Sequence, residues 1–104
     1  YIDHFGDFAQ KGVDQVICLS VNDAWVMDAW GKAQGADGKV MMVGDGNGDL
    51  SRKLGFLVDR SGAGFGDRSI RYAMIIENGV VTHLNVEEPQ VFKISDAGTM
   101  LQLL

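Results

Sequence analysis

The sequence predicts an α/β fold, a mixed sheet flanked by helices, and three observations carry that prediction. Two short continuous apolar runs, Val16-Ile17-Cys18-Leu19 and Val40 to Val43, are each followed by a segment with helical features. Such runs suit strands buried on both faces, as in a parallel sheet. Asn78-Gly79 stands between two β-rich runs, the strongest short-range hairpin signal. The element order α-β-α-β-α-β-β-α then reads as helix-linked parallel strands, an antiparallel hairpin and a packing helix.

Each element has a local reason. Tyr1 to Gln10 carries Ile2, Phe5 and Phe8-Ala9 at the spacing of one helix face and stops at Lys11-Gly12. It has an end signal but no cap before Tyr1. Val13 to Val21 holds the first apolar run. Asn22-Asp23 offers an N-cap for a helix from Ala24 to Gln34, and Gly35-Ala36-Asp37-Gly38 breaks it. The second strand, Val40 to Val43, runs into Gly44-Asp45-Gly46-Asn47-Gly48, a turn. Asp49 to Leu57 reads as a short helix and Ser61 to Asp67 as a Gly-rich loop. Arg71 to Ile76 and Val80 to Val86 form the hairpin arms. After Pro89 a loop leads to Ser95-Asp96, which caps a last helix through Leu104.

The totals narrow the function classes. With 104 residues there is room for one core, and 46% apolar residues argue for a globular domain. A formal charge of -5, with Lys and Arg scattered, argues against nucleic acid or an anionic membrane surface as partner. No apolar run approaches a membrane span, and no basic segment followed by an apolar stretch marks a signal peptide. The single cysteine, Cys18, excludes an internal disulfide and a multi-cysteine zinc site, and fits a reducing, cytoplasmic setting.

Several segments invite a chemical reading. Asp45-Gly46-Asn47-Gly48-Asp49 mimics the start of a calcium loop, but Leu50 and Phe56 stand where that loop needs Gly and a bidentate Glu. A tight strand-to-helix turn is the better reading. Gly62-x-Gly64-x-Gly66 lacks the lysine and hydroxyl of a phosphate loop and precedes a strand. The two histidines, His4 and His83, fall on different elements without ligand spacing, so no metal and no cofactor is expected. Cys18 lies inside an apolar strand rather than at a helix N-terminus or beside a cation, which favours a structural role. Arg68 and Arg71, three apart in a β-like run, should face opposite sides; for a lone arginine the plain reading is a salt bridge or a solvated edge.

Three stretches together resemble one family. Gly12-Val13-Asp14 through Ser20-Val21-Asn22-Asp23-Ala24-Trp25 to Trp30, the turn Asp45-Gly46-Asn47-Gly48, and Gly64-Phe65-Gly66-Asp67-Arg68-Ser69-Ile70-Arg71-Tyr72-Ala73-Met74 with Asn78-Gly79 resemble the peroxiredoxin family, in particular its five-type redoxin subgroup. Phe92 to Met100-Leu101 is similar to the last helix of its bacterial members. The resemblance is collinear over the chain. It implies a thioredoxin-like fold and a thiol peroxidase acting on hydrogen peroxide and alkyl hydroperoxides, with no cofactor. The family's peroxidatic cysteine becomes a sulfenic acid that a thiol then reduces. Arg71 matches the family arginine that stabilises the thiolate and polarises the peroxide. Arg68 matches a neighbouring position that supports the loop or the dimer. Trp25, Phe65 and the Asn22-Asp23 turn match segments near a homodimer contact, beside the plain reading of core aromatics and a helix cap.

The chain departs from the family at one point. The family motif Pro-x-x-x-Thr-x-x-Cys does not occur in it, and its one proline is Pro89. Tyr1 to Gln10 matches the later part of the helix that carries the motif. The resemblance therefore implies one redoxin domain over residues 1–104, partial at the N-terminus with its first β-α unit incomplete, and inactive by itself. With no cysteine near the last helix, the implied parent is a one-cysteine enzyme reduced by glutathione, glutaredoxin or thioredoxin. Some bacterial relatives add a glutaredoxin domain beyond this point. A redoxin-like module that lost its cysteine and serves binding or dimerisation is the alternative.

Overall fold

The computed structural model describes all residues, 1–104, and its strands come in three separate pairs. Helix α1 (Phe5–Gln10) leads to strand β1 (Val16–Ser20), helix α2 (Ala24–Gln34) and strand β2 (Val40–Gly44). Helix α3 (Asp49–Lys53) follows, then strands β3 (Leu57–Asp59) and β4 (Asp67–Ser69) around a 3-10 turn at Ser61–Ala63. Strands β5 (Tyr72–Glu77) and β6 (Val80–Val86) and helix α4 (Ala97–Gln102) complete the chain.

β1 and β2 pair in parallel, Cys18 opposite Met42, with α2 as the crossover. The helix forms where the sequence places it: the Asp23 carboxylate accepts from the Val26 N–H at 2.8 Å, and Gly35 ends it in the left-handed region. Gly44 lets the end of β2 pass close to the turn before α2, since a Cβ there would lie 2.6 Å from the Asn22 carbonyl oxygen. β5 and β6 pair antiparallel across Asn78 and Gly79, both at positive φ (52° and 79°), as a tight hairpin turn requires. The register slips between Ile75 and Ile76, leaving Thr82 as the extra residue of a bulge.

The core is small. Phe8, Ala97 and Met100 form its buried centre, with Val13, Val16, Ala73, Ile75 and Leu101 packed around them. Tyr1 stacks on Phe8 with ring centroids 5.5 Å apart, and its hydroxyl donates to the Ser95 carbonyl at 2.6 Å. Burial of the Tyr1 phenol, with the Asp96 charge adding to it, pushes its pKa up to about 12.

Four expectations need correction. Tyr1 to His4 are not helical, with a turn at Asp3 and His4, so the first helix begins only at Phe5. β1 and β2 are not buried on both faces, because Ile17 and Met41 remain 55% and 50% exposed. The third helix ends at Lys53, since Gly55 takes a φ of 78° and Leu57 enters a strand. The run carrying the two arginines is not one strand: β4 stops at Ser69, and Ile70-Arg71 link it to β5.

Candidate active site

The break in that run sets the geometry of the site. Because β4 and β5 are distinct strands, Arg68 and Arg71 are released from strict alternation, and both line one open cleft of about 950 Å³. Arg60, Phe65, Glu87 and Phe92 contribute to the same walls.

Arg68 is tied down by three hydrogen bonds. Its Nε donates to the Phe65 carbonyl at 2.9 Å, and one terminal nitrogen donates to the Val21 carbonyl and the Asn22 Oδ1, both at 2.8 Å. It thereby ties the Gly-rich loop to the turn that starts α2. Asn22 is oriented in turn by its amide donating to the Ser20 hydroxyl at 3.0 Å.

Arg71 differs in every respect. It is exposed, it forms no ion pair within 4.0 Å, and its guanidinium carbon lies 4.8 Å from the centre of the Phe92 ring. A permanent cation with free donors at a cleft wall is a ready anion-stabilising group. Trp25, in the first turn of α2, and Phe65 are 81% and 59% exposed, which overturns the reading of them as core aromatics. Through Arg68 the segments bearing these two rings are held to one another.

The remaining candidates lie outside this cleft. Cys18 sits half-buried on β1, and burial pushes its thiol pKa up, which disfavours the thiolate. The Asp45 carboxylate accepts from the Ser51 and Leu50 amides at 2.8 and 3.2 Å; chiefly through Ser51 its pKa falls below the ordinary value. The Asp45-to-Asp49 segment is thus a turn closing on α3. His4 meets Asp7 at 3.0 Å on the surface, His83 lies exposed on β6, and no three His, Cys, Asp or Glu side chains converge as metal ligands.

One group escaped the sequence reading. Glu87, buried directly after β6, accepts at a single oxygen from the Lys93, Ile94 and Ser95 amides at 2.8, 2.9 and 2.9 Å and from the Ser95 hydroxyl at 2.7 Å. Burial works to raise its pKa, but the hydrogen bonds led by Ser95 outweigh it and leave it lowered. No local pattern signals this, because the 93–95 amides reach the carboxylate only once the loop has folded back.

Comparison with known proteins assigns the chain its family. The family model for Redoxin matches residues 1–101. The chain belongs to the Redoxin family. Within that family it is a peroxiredoxin of thioredoxin-like fold, as its relatives indicate. It is 47% identical to Peroxiredoxin sll1621 of Synechocystis, covering 100% of the chain and 58% of that protein. It is 43% identical to the chloroplastic Peroxiredoxin-2E of Arabidopsis thaliana, covering 100% of the chain and 45% of that protein. The crystal structure of reduced Prx3 from Vibrio vulnificus in complex with hydrogen peroxide superposes with a TM-score of 0.95 at 50% identity, over 100% of the redoxin chain and 67% of Prx3. The redoxin chain thus spans about half the length of the two curated relatives. No helix is long and apolar enough to cross a membrane.

Proposed function

We propose that residues 1–104 supply the arginine side of a thiol peroxidase site, in a protein that reduces hydrogen peroxide and alkyl hydroperoxides. The observation that carries this reading is Arg71, a cleft-lining guanidinium without a carboxylate partner, in a chain whose relatives are peroxiredoxins. The attacking thiolate comes from a Pro-x-x-x-Thr-x-x-Cys segment outside these residues. Its sulfur forms a bond to one peroxide oxygen as the O–O bond breaks. Sulfur is oxidised by two electrons to sulfenic acid, and the leaving oxygen takes a proton and departs as water or alcohol.

Arg71 acts twice in this scheme. Its fixed charge favours thiolate over thiol before attack, and its N–H groups donate to the oxygen that gains charge during attack. A thiol, from glutathione, glutaredoxin or thioredoxin, then condenses with the sulfenic acid to release water, and a second thiol reduces the resulting disulfide. Cys18 takes no part, because its half-buried, pKa-raised thiol lies on β1. The exposed Trp25 and Phe65, linked through Arg68, suit a contact with a second copy, so that the domain works as a homodimer, and the single cysteine fits a reducing, cytoplasmic setting.

The test is Arg71→Met in the whole protein. Loss of one charge-stabilising donor group should lower the second-order rate with hydrogen peroxide by about 100-fold while the melting temperature barely moves. A wild-type rate in that variant overturns the assignment.

A further inference from the structure

We propose that Glu87 is a positioning residue for Arg71, acting by closing the 88–95 loop so that Phe92 lies beneath the guanidinium. The inference rests on reading Arg71 as the peroxide-facing cation. An exposed arginine without an ion pair samples many rotamers, and ordering it needs a partner. The Phe92 ring, 4.8 Å from the guanidinium carbon, is that partner.

Phe92 is itself 58% exposed, so no core holds it. Its place is set by its loop, and the loop is closed by Glu87. Three successive amides, beginning with the residue after Phe92, converge with the Ser95 hydroxyl on one carboxylate oxygen. The Asn85 amide donating to the Ile94 carbonyl at 2.8 Å and the Tyr1 hydroxyl donating to the Ser95 carbonyl anchor the same stretch. At the other end, the Glu87 N–H donates to the Arg71 carbonyl at 3.0 Å. One residue therefore holds the Arg71 backbone with its own backbone and the ring under Arg71 with its side chain. The carboxylate makes no ion pair with Arg71, so the influence runs through the loop and not through direct charge.

The whole protein, isotopically labelled at arginine, provides the test. Phe92 should shift the Arg71 δ-methylene and Nε–H signals upfield by its ring current. Glu87→Ala and Phe92→Leu should both abolish that shift and slow peroxide reduction by about tenfold through misplacement of the cation. Phe92→Tyr, which keeps the ring, should restore shift and rate. A merely structural role for Glu87 would leave the Arg71 signals unmoved in any variant whose β5–β6 amide signals remain native, and that result overturns the proposal. If Glu87→Ala does not fold, Glu87→Asp, which withdraws the carboxylate from the 93–95 amides by one methylene, decides on the same signals: a weakened shift supports the role, a wild-type shift overturns it. The two readings fail separately. A wild-type peroxide rate in Arg71→Met removes the catalytic reading, whereas a slow Arg71→Met beside unmoved Arg71 signals in the Glu87 variants removes only the positioning role.

Discussion

Arg68 and Arg71 are three residues apart and line the same cleft, yet one is tied into the fold and the other is left free. Arg68 donates to three acceptors on two segments, whereas Arg71 meets only an aromatic face. On the function proposed above, the difference separates structural from chemical work within a single residue type. A guanidinium held by three hydrogen bonds to carbonyl and amide oxygens is fixed in place, while one resting on a ring keeps its whole hydrogen-bonding edge free. Substitution of the two should therefore give opposite profiles: Arg71→Met, as argued above, loses about 100-fold in peroxide rate with a change in stability of about 0.5 kcal/mol.

Arg68→Met is the mirror experiment. It leaves the Val21 carbonyl and the Asn22 side chain without their donor, in a partly buried setting, and unties the Gly-rich loop from the start of α2. Losing hydrogen bonds from a charged donor should cost about 2 kcal/mol, read as a lower urea midpoint with an unchanged slope. If Arg68→Met left the midpoint alone and instead abolished the peroxide rate, the division of labour between the two arginines would be the reverse of the one proposed.

Acid should sharpen the comparison by acting on the loop beneath Arg71 and sparing the Arg68 contacts, which involve no titrating acceptor. The Glu87 pKa is lowered from the ordinary value of 4.5 on folding. A lowered folded-state pKa stabilises above the unfolded value and is lost as pH falls through the folded one. The stabilisation from the hydrogen bonds to the 93–95 amides should be complete above about 4.5 and be lost as pH falls from there through the lowered folded-state pKa. Amide exchange at Lys93 to Ser95 that accelerates below that range, ahead of exchange at Phe65 to Arg68, is the expected record. Equal acceleration in both segments would mean that the carboxylate does not close the loop.

The sequence was a good guide where chemistry is local. Asp23 before Ala24 and Gly35 after Gln34 bound α2 at the residues the structure shows, and Asn78-Gly79 places the hairpin turn. It was a poor guide where the outcome depends on distant contacts. β3 and β4 have only three residues each, too few for any periodicity, and exist because Leu57 to Asp59 meet Asp67 to Ser69 across a turn. The break at Ile70 that brings both arginines to one cleft follows from that pairing. A resemblance over Gly64 to Met74 pointed to Arg71, but nothing local marks Glu87, one of two adjacent glutamates before Pro89, as the one that turns inward.

The smallest expected effect concerns Cys18, whose half-buried place on a strand disfavours the thiolate. Cys18→Ser exchanges a half-buried thiol on β1 for a hydroxyl that prefers water, with Met42 opposite on β2. The penalty should be about 1 kcal/mol, because half the side chain already meets solvent. Thermal unfolding should move down by roughly 4 °C or somewhat more in a domain of this size. Peroxide kinetics of the whole protein should stay at wild type, since a raised thiol pKa leaves little thiolate to react at neutral pH. A peroxide rate that fell with Cys18→Ser while Arg71→Met had no effect would move the chemistry from the arginine cleft to the parallel strands, and would remove the contrast between the two arginines.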